Sequence, residues 1–168
     1  GALVVRDGVK LDPILRGGGQ ERERRSGTHN VAGIVAMAAA ATAAVRERSD
    51  LVARAARWRA TVIDALDDVV VTAPNASHTA GTVHVQVTGV ESEALVIALD
   101  DLGVCVSAGS ACASGALEPS HVLAAMGVDP AMARGALRLS MGWSSTERDI
   151  EQAVVAVPKA IEMLRSRS

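Results

Sequence analysis

The stretch Val104-Cys-Val-Ser-Ala-Gly-Ser-Ala-Cys-Ala-Ser-Gly115 joins a short β run to a chain of very small residues. Residues 104–107 have the apolar and β-branched content that is typical of a strand. Small residues then surround Cys112, and Pro119 opens a helical pattern that Gly127 ends. This setting favours a thiol on a loop with few bulky side chains between two regular elements. The alternative is a buried structural cysteine beside an ordinary turn.

Alternation of apolar and polar residues predicts two further strands on either side of this stretch. In the strand predicted at 82–87, three valines share one face, and His84 and Gln86 share the other. In the strand predicted at 135–141, two leucines and a methionine face inward, and Arg138 lies on the opposite side. Each of these strands therefore has one apolar and one polar face.

The remaining pattern predicts a mixed set of elements. Further strands are predicted at 1–5 and 69–72, and helices at 31–48, 51–66, 91–102, 120–126 and 146–165. The first two helices are separated at Ser49-Asp50 either by a break or by only a bend. Several strands are adjacent in sequence, so the predicted class is α+β: a small antiparallel or mixed sheet with helices packed on one face. Because the first strand begins at residue 1 with no preceding turn, we expect a chain cut from something larger.

Length and composition describe a globular domain without an obvious charged partner. The chain has 168 residues, 49% of them hydrophobic, and a formal net charge of −2. This balance gives no reason to expect a nucleic-acid partner or a membrane surface. The apolar run at 31–45 is shorter than the roughly 20 residues that a membrane span needs. Two cysteines and no signal peptide predict a reducing, cytoplasmic location.

Two other features could bind anions. The stretch 16–30 is dense in glycine and charge and lies directly before a helix that Thr28 or Asn30 could cap. Glycines and a helix start suit a phosphate site, and a solvated charged loop is the alternative. Arg138 is either a solvated strand residue or the group that holds a small carboxylate beside the thiol.

Two motifs resemble those of a known family. Gly-Gly-Gly-Gln-Glu-Arg at 17–22 is followed by Arg-Ser-Gly-Thr at 25–28, and the stretch at 107–123 reads Ser-Ala-Gly-Ser-Ala-Cys-Ala-Ser-Gly-Ala-Leu-Glu-Pro-Ser-His-Val-Leu. Both are similar to motifs of the cysteine desulfurases in the class V aminotransferase superfamily, whose fold is fold type I. Within it they resemble the branch that serves nitrogenase and general iron–sulfur cluster assembly. The resemblance covers essentially the whole chain.

The resemblance implies a pyridoxal 5′-phosphate (PLP) enzyme that removes sulfur from L-cysteine and leaves L-alanine. It implies that Cys112 becomes a persulfide, that Arg138 binds the substrate carboxylate, and that Thr28 reaches the cofactor phosphate in the second subunit of a homodimer. The sulfur would pass to an iron–sulfur scaffold or another acceptor protein. Residues 1–30 would then be the tail of the PLP-binding large domain, and 31–168 the small domain that carries the cysteine loop.

The chain departs from the family pattern at two points. The family's Schiff-base lysine lies in a His-Lys motif, and neither Lys10 nor Lys159 has a comparable setting. We therefore expect a C-terminal portion that lacks the PLP lysine and is inactive alone. Trp143 stands where many relatives carry an arginine, which leaves carboxylate binding to Arg138.

Other classes of function remain as alternatives. A metal site of Cys105, Cys112 and His121 matches no recognised zinc or cluster spacing, and no metal is predicted. Cys105 is predicted to pack in its strand, His121 to lie at the surface or cap a helix, and His29 to begin a helix. The other alternative is a non-catalytic domain, derived from the same family, that accepts sulfur or binds a partner without PLP.

Overall fold

The computed structural model describes residues 1–108 and 120–166, and the segment that contains Cys112 lies outside them. The chain divides into two compact units, Gly1–Arg48 and Ser49–Ser168. The second unit contains the sheet and two clusters of buried apolar residues. None of the described helices is long and apolar enough to cross a membrane.

The first unit begins without regular structure. Residues 1–19 form neither helix nor strand, so the strand predicted at 1–5 is wrong. Its Leu3 and Val4 are 78% and 95% exposed, since no described strand pairs with this run. A turn follows this run, because Val9 N donates to Arg6 O at 3.2 Å.

A single long helix, α1 (Val31–Asp64), takes the place of the two helices predicted at 31–48 and 51–66. Its first turn is capped as expected, because Gly33 N donates to Asn30 Oδ1 at 3.0 Å. Of the two alternatives at Ser49-Asp50, the break is wrong and the helix is continuous, because neither residue interrupts a helix as proline does. The buried residues of α1 all lie in its C-terminal part: Ala55, Trp58 and Val62.

Within residues 1–108 and 120–166, four strands form one antiparallel sheet in the order β1-β2-β4-β3. They are β1 (Val69–Val71), β2 (Thr82–Val87), β3 (Ser107–Ala108) and β4 (Ala136–Ser140). The valines of β2 and the leucines of β4 are buried on one face, as the alternation predicts. The strand predicted at 104–107 is shorter than expected. The observed β3 begins only at the C-terminal end of the predicted range.

Two glycines hold β2 and β4 in register. Met141 N donates to Gly81 O at 2.7 Å, and Val87 N donates to Gly135 O at 2.8 Å, one bond at each end of the ladder. A Cβ on Gly81 would collide with the carbonyl of Met141, and one on Gly135 with the carbonyl of Val87. The close backbone approach therefore requires glycine at both positions.

Helices cover the apolar face of the sheet. α2 (Ser92–Asp101), α5 (Glu147–Arg165) and the C-terminal part of α1 supply the helical residues of the main core. α3 (His121–Ala125) begins after Ser120, whose Oγ accepts from Leu123 N. α4 (Pro130–Ala133) was not expected, although Asp129 caps it and Pro130 opens it. The α+β class and the antiparallel sheet are confirmed.

Candidate functional site

A row of polar side chains crosses the other face of the sheet. Arg138 in β4 lies directly opposite His84 in β2 and opposite Ser107 in β3. Thr72, which follows β1, continues the row, because its N–H donates to His84 O at 2.9 Å. One Nη of Arg138 donates to Ser107 Oγ at 3.4 Å. All four residues are half-buried, so the row is partly accessible to solvent.

Three side chains in and beside this row form a hydrogen-bonded chain. Gln86 Nε2 donates to Thr72 Oγ1 at 2.7 Å, and the same hydroxyl lies 2.7 Å from His84 Nδ1. Gln86 is 3% exposed, so the end of this hydrogen-bonded chain that lies farther from His84 is fixed within the protein. Burial, and secondarily the charge of Arg138, lower the pKa of His84 below its ordinary value of 6.5. The imidazole is therefore held neutral at pH 7.

The charge of Arg138 has no carboxylate partner in the described part of the chain. There the ion pairs are Arg46 with Glu47 and Arg165 with Asp68, and neither includes Arg138. A partly desolvated guanidinium is stabilised by an anion that accepts two parallel hydrogen bonds, as a carboxylate does. The arrangement can therefore bind a small carboxylate.

The glycine-rich loop closes on itself. Ser26 is buried, and its N–H donates to Leu15 O at 3.2 Å. Gly27 N donates to Gln20 Oε1 at 3.0 Å. An Nη of Arg25 donates to the carbonyls of Gly27 and Thr28 at 3.1 and 2.7 Å. These contacts present Thr28 at the surface with its hydroxyl unbonded to any described residue.

The two cysteines differ in what the structure says of them. Cys112 lies outside the described residues. The packing predicted for Cys105 is wrong: it is exposed and precedes β3 rather than belonging to a strand. Its neighbours Val104 and Val106 pack against the core, and the residue between them therefore points away.

Within the described ranges, no group of three His, Cys, Asp or Glu side chains could hold a metal ion. The alternative site of Cys105, Cys112 and His121 depends on one residue outside those ranges. His121 is exposed at the first position of α3, as expected, and Ser120 rather than His121 caps that helix. His29 is exposed two residues before α1.

The alternation of apolar and polar residues at 82–87 predicts that His84 and Gln86 lie on the polar face, but it gives them no role. Their contact with Thr72 depends on the pairing of β1 with β2, and the position of His84 beside Arg138 on the pairing of β2 with β4. The available signal was a polar residue at the centre of each of two strands in which apolar and polar residues alternate. The sequence does not give the register of strand pairing, which brings these side chains together.

Comparison with known proteins gives one consistent result. The family model described as Aminotransferase class-V matches residues 1–153. An IscS-like cysteine desulfurase of Mycobacterium tuberculosis is 44% identical over 170 residues, which cover 98% of this chain and 43% of that protein. The cysteine desulfurase IscS of Methanosarcina thermophila is 41% identical, over 100% of this chain and 42% of that protein.

A solved structure described as a NifS-like protein superimposes with a TM-score of 0.79 at 31% identity. It is matched over 95% of this chain and 41% of its own length. This chain therefore spans less than half the length of each of these relatives.

Proposed function

The chain belongs to the aminotransferase class-V family, and from that premise we propose that it works as part of a PLP-dependent cysteine desulfurase. The observation that carries the proposal is the half-buried Arg138, whose charge meets no carboxylate among the described residues. An amino-acid substrate supplies such a carboxylate. The relatives reported above, which are named cysteine desulfurases, support L-cysteine as that substrate.

The loop 17–28 fits the phosphate of PLP. Arg25 and Gln20 hold its backbone from within, so the Thr28 hydroxyl is left available as a donor to an anion. We assign Thr28 to the phosphate bound in the neighbouring subunit of a homodimer. When bound, PLP withdraws electrons from the carbon skeleton of the substrate. Lys10 and Lys159 do not fit its covalent attachment, because both are exposed, one in an irregular segment and one on α5.

In the proposed reaction, Arg138 binds the carboxylate of L-cysteine and fixes its orientation. The Cys112 thiolate attacks the substrate sulfur, and an S–S bond forms as the substrate Cβ–S bond breaks. The electron pair stays with carbon, which is protonated to give L-alanine. β3 ends four residues before Cys112 and pairs with the strand of Arg138, which supports a common site for the two groups.

The proposal extends to domains and acceptors. Residues 1–30 would belong to the cofactor-binding domain, and 31–168 would form the small domain that carries the persulfide. A cytoplasmic iron–sulfur scaffold, or another sulfur-acceptor protein, would take the sulfur. The single buried residue of the first unit is Ser26 among the residues described, which agrees with a segment that completes a site rather than a core of its own.

The test compares the two cysteines in the holoenzyme. We expect Cys112→Ser to abolish sulfide release from L-cysteine while PLP stays bound, because no other thiol is assigned to the attack. Cys105→Ser is the matched control and should retain activity and cost little stability, since Cys105 is exposed. Alanine formation and bound PLP would be measured in parallel.

Equal loss of activity in both variants would contradict the assignment of Cys112. A wild-type protein that forms no alanine, yet takes sulfur onto Cys112 from a persulfide donor, would instead support the non-catalytic acceptor. That second candidate is favoured by the exposed positions of Lys10 and Lys159.

A further inference from the structure

His84 and Arg138 are adjacent on the polar face of the sheet. They are direct cross-strand partners in an antiparallel ladder, so their Cβ atoms lie roughly 5 Å apart on one face. Arg138 is already assigned to a carboxylate, whereas His84 has no assigned role. The question is whether the imidazole presents a donor or an acceptor to the space beside the guanidinium.

The hydrogen bonds from Gln86 to Thr72 and between Thr72 and His84 determine which nitrogen of the imidazole carries the proton. The amide nitrogen of Gln86 can only donate, so Thr72 Oγ1 accepts from it and has its own proton left to give. We assign that proton to His84 Nδ1, 2.7 Å away, the other atom bonded to this hydroxyl among the described residues. Nδ1 is then an acceptor, and a neutral imidazole with an acceptor at Nδ1 carries its proton on Nε2.

The Nε2–H group faces away from Thr72. The two ring nitrogens lie on different sides of the imidazole, so with Nδ1 bonded to Thr72 on the side of β1, Nε2 is turned away from β1. β4, which carries Arg138 opposite His84, flanks β2 on its other side. In the described chain Nε2 has no hydrogen-bond partner, and it is not among the buried unpaired atoms, which are Arg54 Nε and Trp58 Nε1. A ligand can therefore reach it.

We propose that His84 Nε2–H is the second hydrogen-bond donor to the carboxylate that Arg138 binds, and that Thr72 and Gln86 are positioning residues that fix this tautomer. This inference rests on the proposed function. One cation and one neutral donor match a single negative charge on two oxygens. The depressed pKa of His84 supports the neutral form. Trp143, which stands where many relatives carry an arginine, is 82% exposed and offers no charge. His84 supplies the second donor instead.

The first test reads the tautomer and needs neither cofactor nor activity. In the ¹⁵N-labelled chain at pH 7, long-range ¹H–¹⁵N correlation should show His84 with a bare Nδ1 and a protonated Nε2. Thr72→Val removes the hydroxyl and should abolish this bias. Thr82→Val is the matched control, because Thr82 lies on the same strand face and bonds Thr79 instead of His84. A protonated Nδ1 in the wild-type chain would overturn the inference.

The second test measures binding of the substrate carboxylate in the holoenzyme. His84→Phe should raise KM for L-cysteine roughly tenfold to a hundredfold, the factor expected for one hydrogen bond to a charged group, with a smaller change in kcat. His84→Gln keeps an N–H donor and should recover part of the loss. A merely structural role would give no such recovery, and a wild-type KM in His84→Phe would refute the inference.

Failure of the inference is separable from failure of the proposed function. If Arg138→Leu lowers kcat/KM and His84→Phe does not, the carboxylate site stands and His84 has no part in it. If neither variant changes kcat/KM, the carboxylate site itself is wrong. Should His84→Phe fail to fold, His84→Gln and Thr72→Val still decide, since a donor role predicts a raised KM in Thr72→Val and not in Thr82→Val.

Discussion

Arg138 illustrates how one residue can be placed by a strand and given its chemistry by its neighbours. The leucines on either side of it in β4 are buried, and this alternation turns its side chain to the polar face. There Ser107 accepts one of its hydrogen bonds, and the remaining donors of the guanidinium have no partner among the described residues. A charge held in this way is costly to desolvate unless an anion binds to it.

Removal of this charge should impair the reaction selectively. Arg138→Leu is expected to lower kcat/KM for L-cysteine about ten- to a hundredfold or more, because a hydrogen bond to a charged group contributes roughly 1.5–3 kcal/mol. Arg138→Lys should recover only part of this, since an ammonium cannot form the planar two-bond contact. Steady-state kinetics of the holoenzyme would measure both.

Arg134 provides the matched control for that experiment. It lies four residues earlier, is exposed at the end of α4, and Arg134→Leu removes the same charge at no cost to the row. We expect wild-type kinetics from it. An equal loss in both variants would mean that net charge, and not the position of Arg138, affects the rate.

At the scale of elements, α5 shows which local signals suffice. Thr146 and Asp149 form a reciprocal capping box: Thr146 N donates to Asp149 Oδ2 at 2.7 Å, and Asp149 N donates to Thr146 Oγ1 at 3.4 Å. The hydrogen bonds from the Thr146 backbone and hydroxyl lower the pKa of Asp149 below its ordinary value of 3.8. The helix then continues through Pro158 to Arg165.

Loss of the cap should destabilise the chain by a measurable amount. Thr146→Ala is expected to lower the free energy of unfolding by about 0.5–2 kcal/mol in urea denaturation at pH 7. The pKa of Asp149 is lower in the folded state than in the unfolded state. At pH values above the pKa of the unfolded state, its ionised form therefore stabilises the folded state. That contribution disappears as the pH falls through the folded pKa. The difference between wild type and Thr146→Ala should therefore narrow below pH 3.8.

The same substitution within a helix serves as the control. Thr61 in α1 is exposed and only donates to Arg57 O at 3.1 Å, so Thr61→Ala should be close to neutral, since alanine has the higher helix propensity. A pH-independent difference for Thr146→Ala would show that the carboxylate of Asp149 takes no part in the cap.

The elements also show where a sequence suffices and where it does not. β2 was predicted with its observed bounds, since period-two alternation and burial agree there. The strand predicted from the hydrophobic run at 1–5 is wrong, because such a run forms a strand only where another strand is available to pair with it. The chain Gln86–Thr72–His84 was missed because it joins residues 12 and 14 apart through strand pairing. Local spacing contains no information on such contacts.

At the scale of the whole molecule, the two units differ in how they can be stable. The Ser49–Ser168 unit holds every apolar residue of both buried clusters. In the Gly1–Arg48 unit, the described apolar side chains are mostly exposed, including Ile14 at 96% and Val35 at 62%. A segment of this kind is suited to act on a partner surface, and for the loop 17–28 we propose the second subunit of a homodimer.

A two-fold dimer makes this proposal testable by mixing subunits, because the exchange is reciprocal. The two parents are Thr28→Val and Cys112→Ser. If Thr28 acts on the neighbour's phosphate and Cys112 on its own subunit's substrate, one site of the mixed dimer combines an intact thiol with an intact Thr28. The other site lacks both. We therefore expect mixing to restore up to one working site per heterodimer, measured as alanine formation.

The opposite geometry gives the opposite result. If Thr28 served its own subunit, each site of the mixed dimer would carry one defect, and mixing would add nothing to the activity of the parents. PLP affinity tests the Thr28 contact independently of turnover, since the Thr28→Val homodimer should bind PLP more weakly than the wild type in either geometry. Thr28→Ser, which keeps the hydroxyl, is the matched control and should bind PLP as the wild type does. Weak PLP binding in Thr28→Ser would mean that the methyl group, rather than the donor, is what the loop contributes.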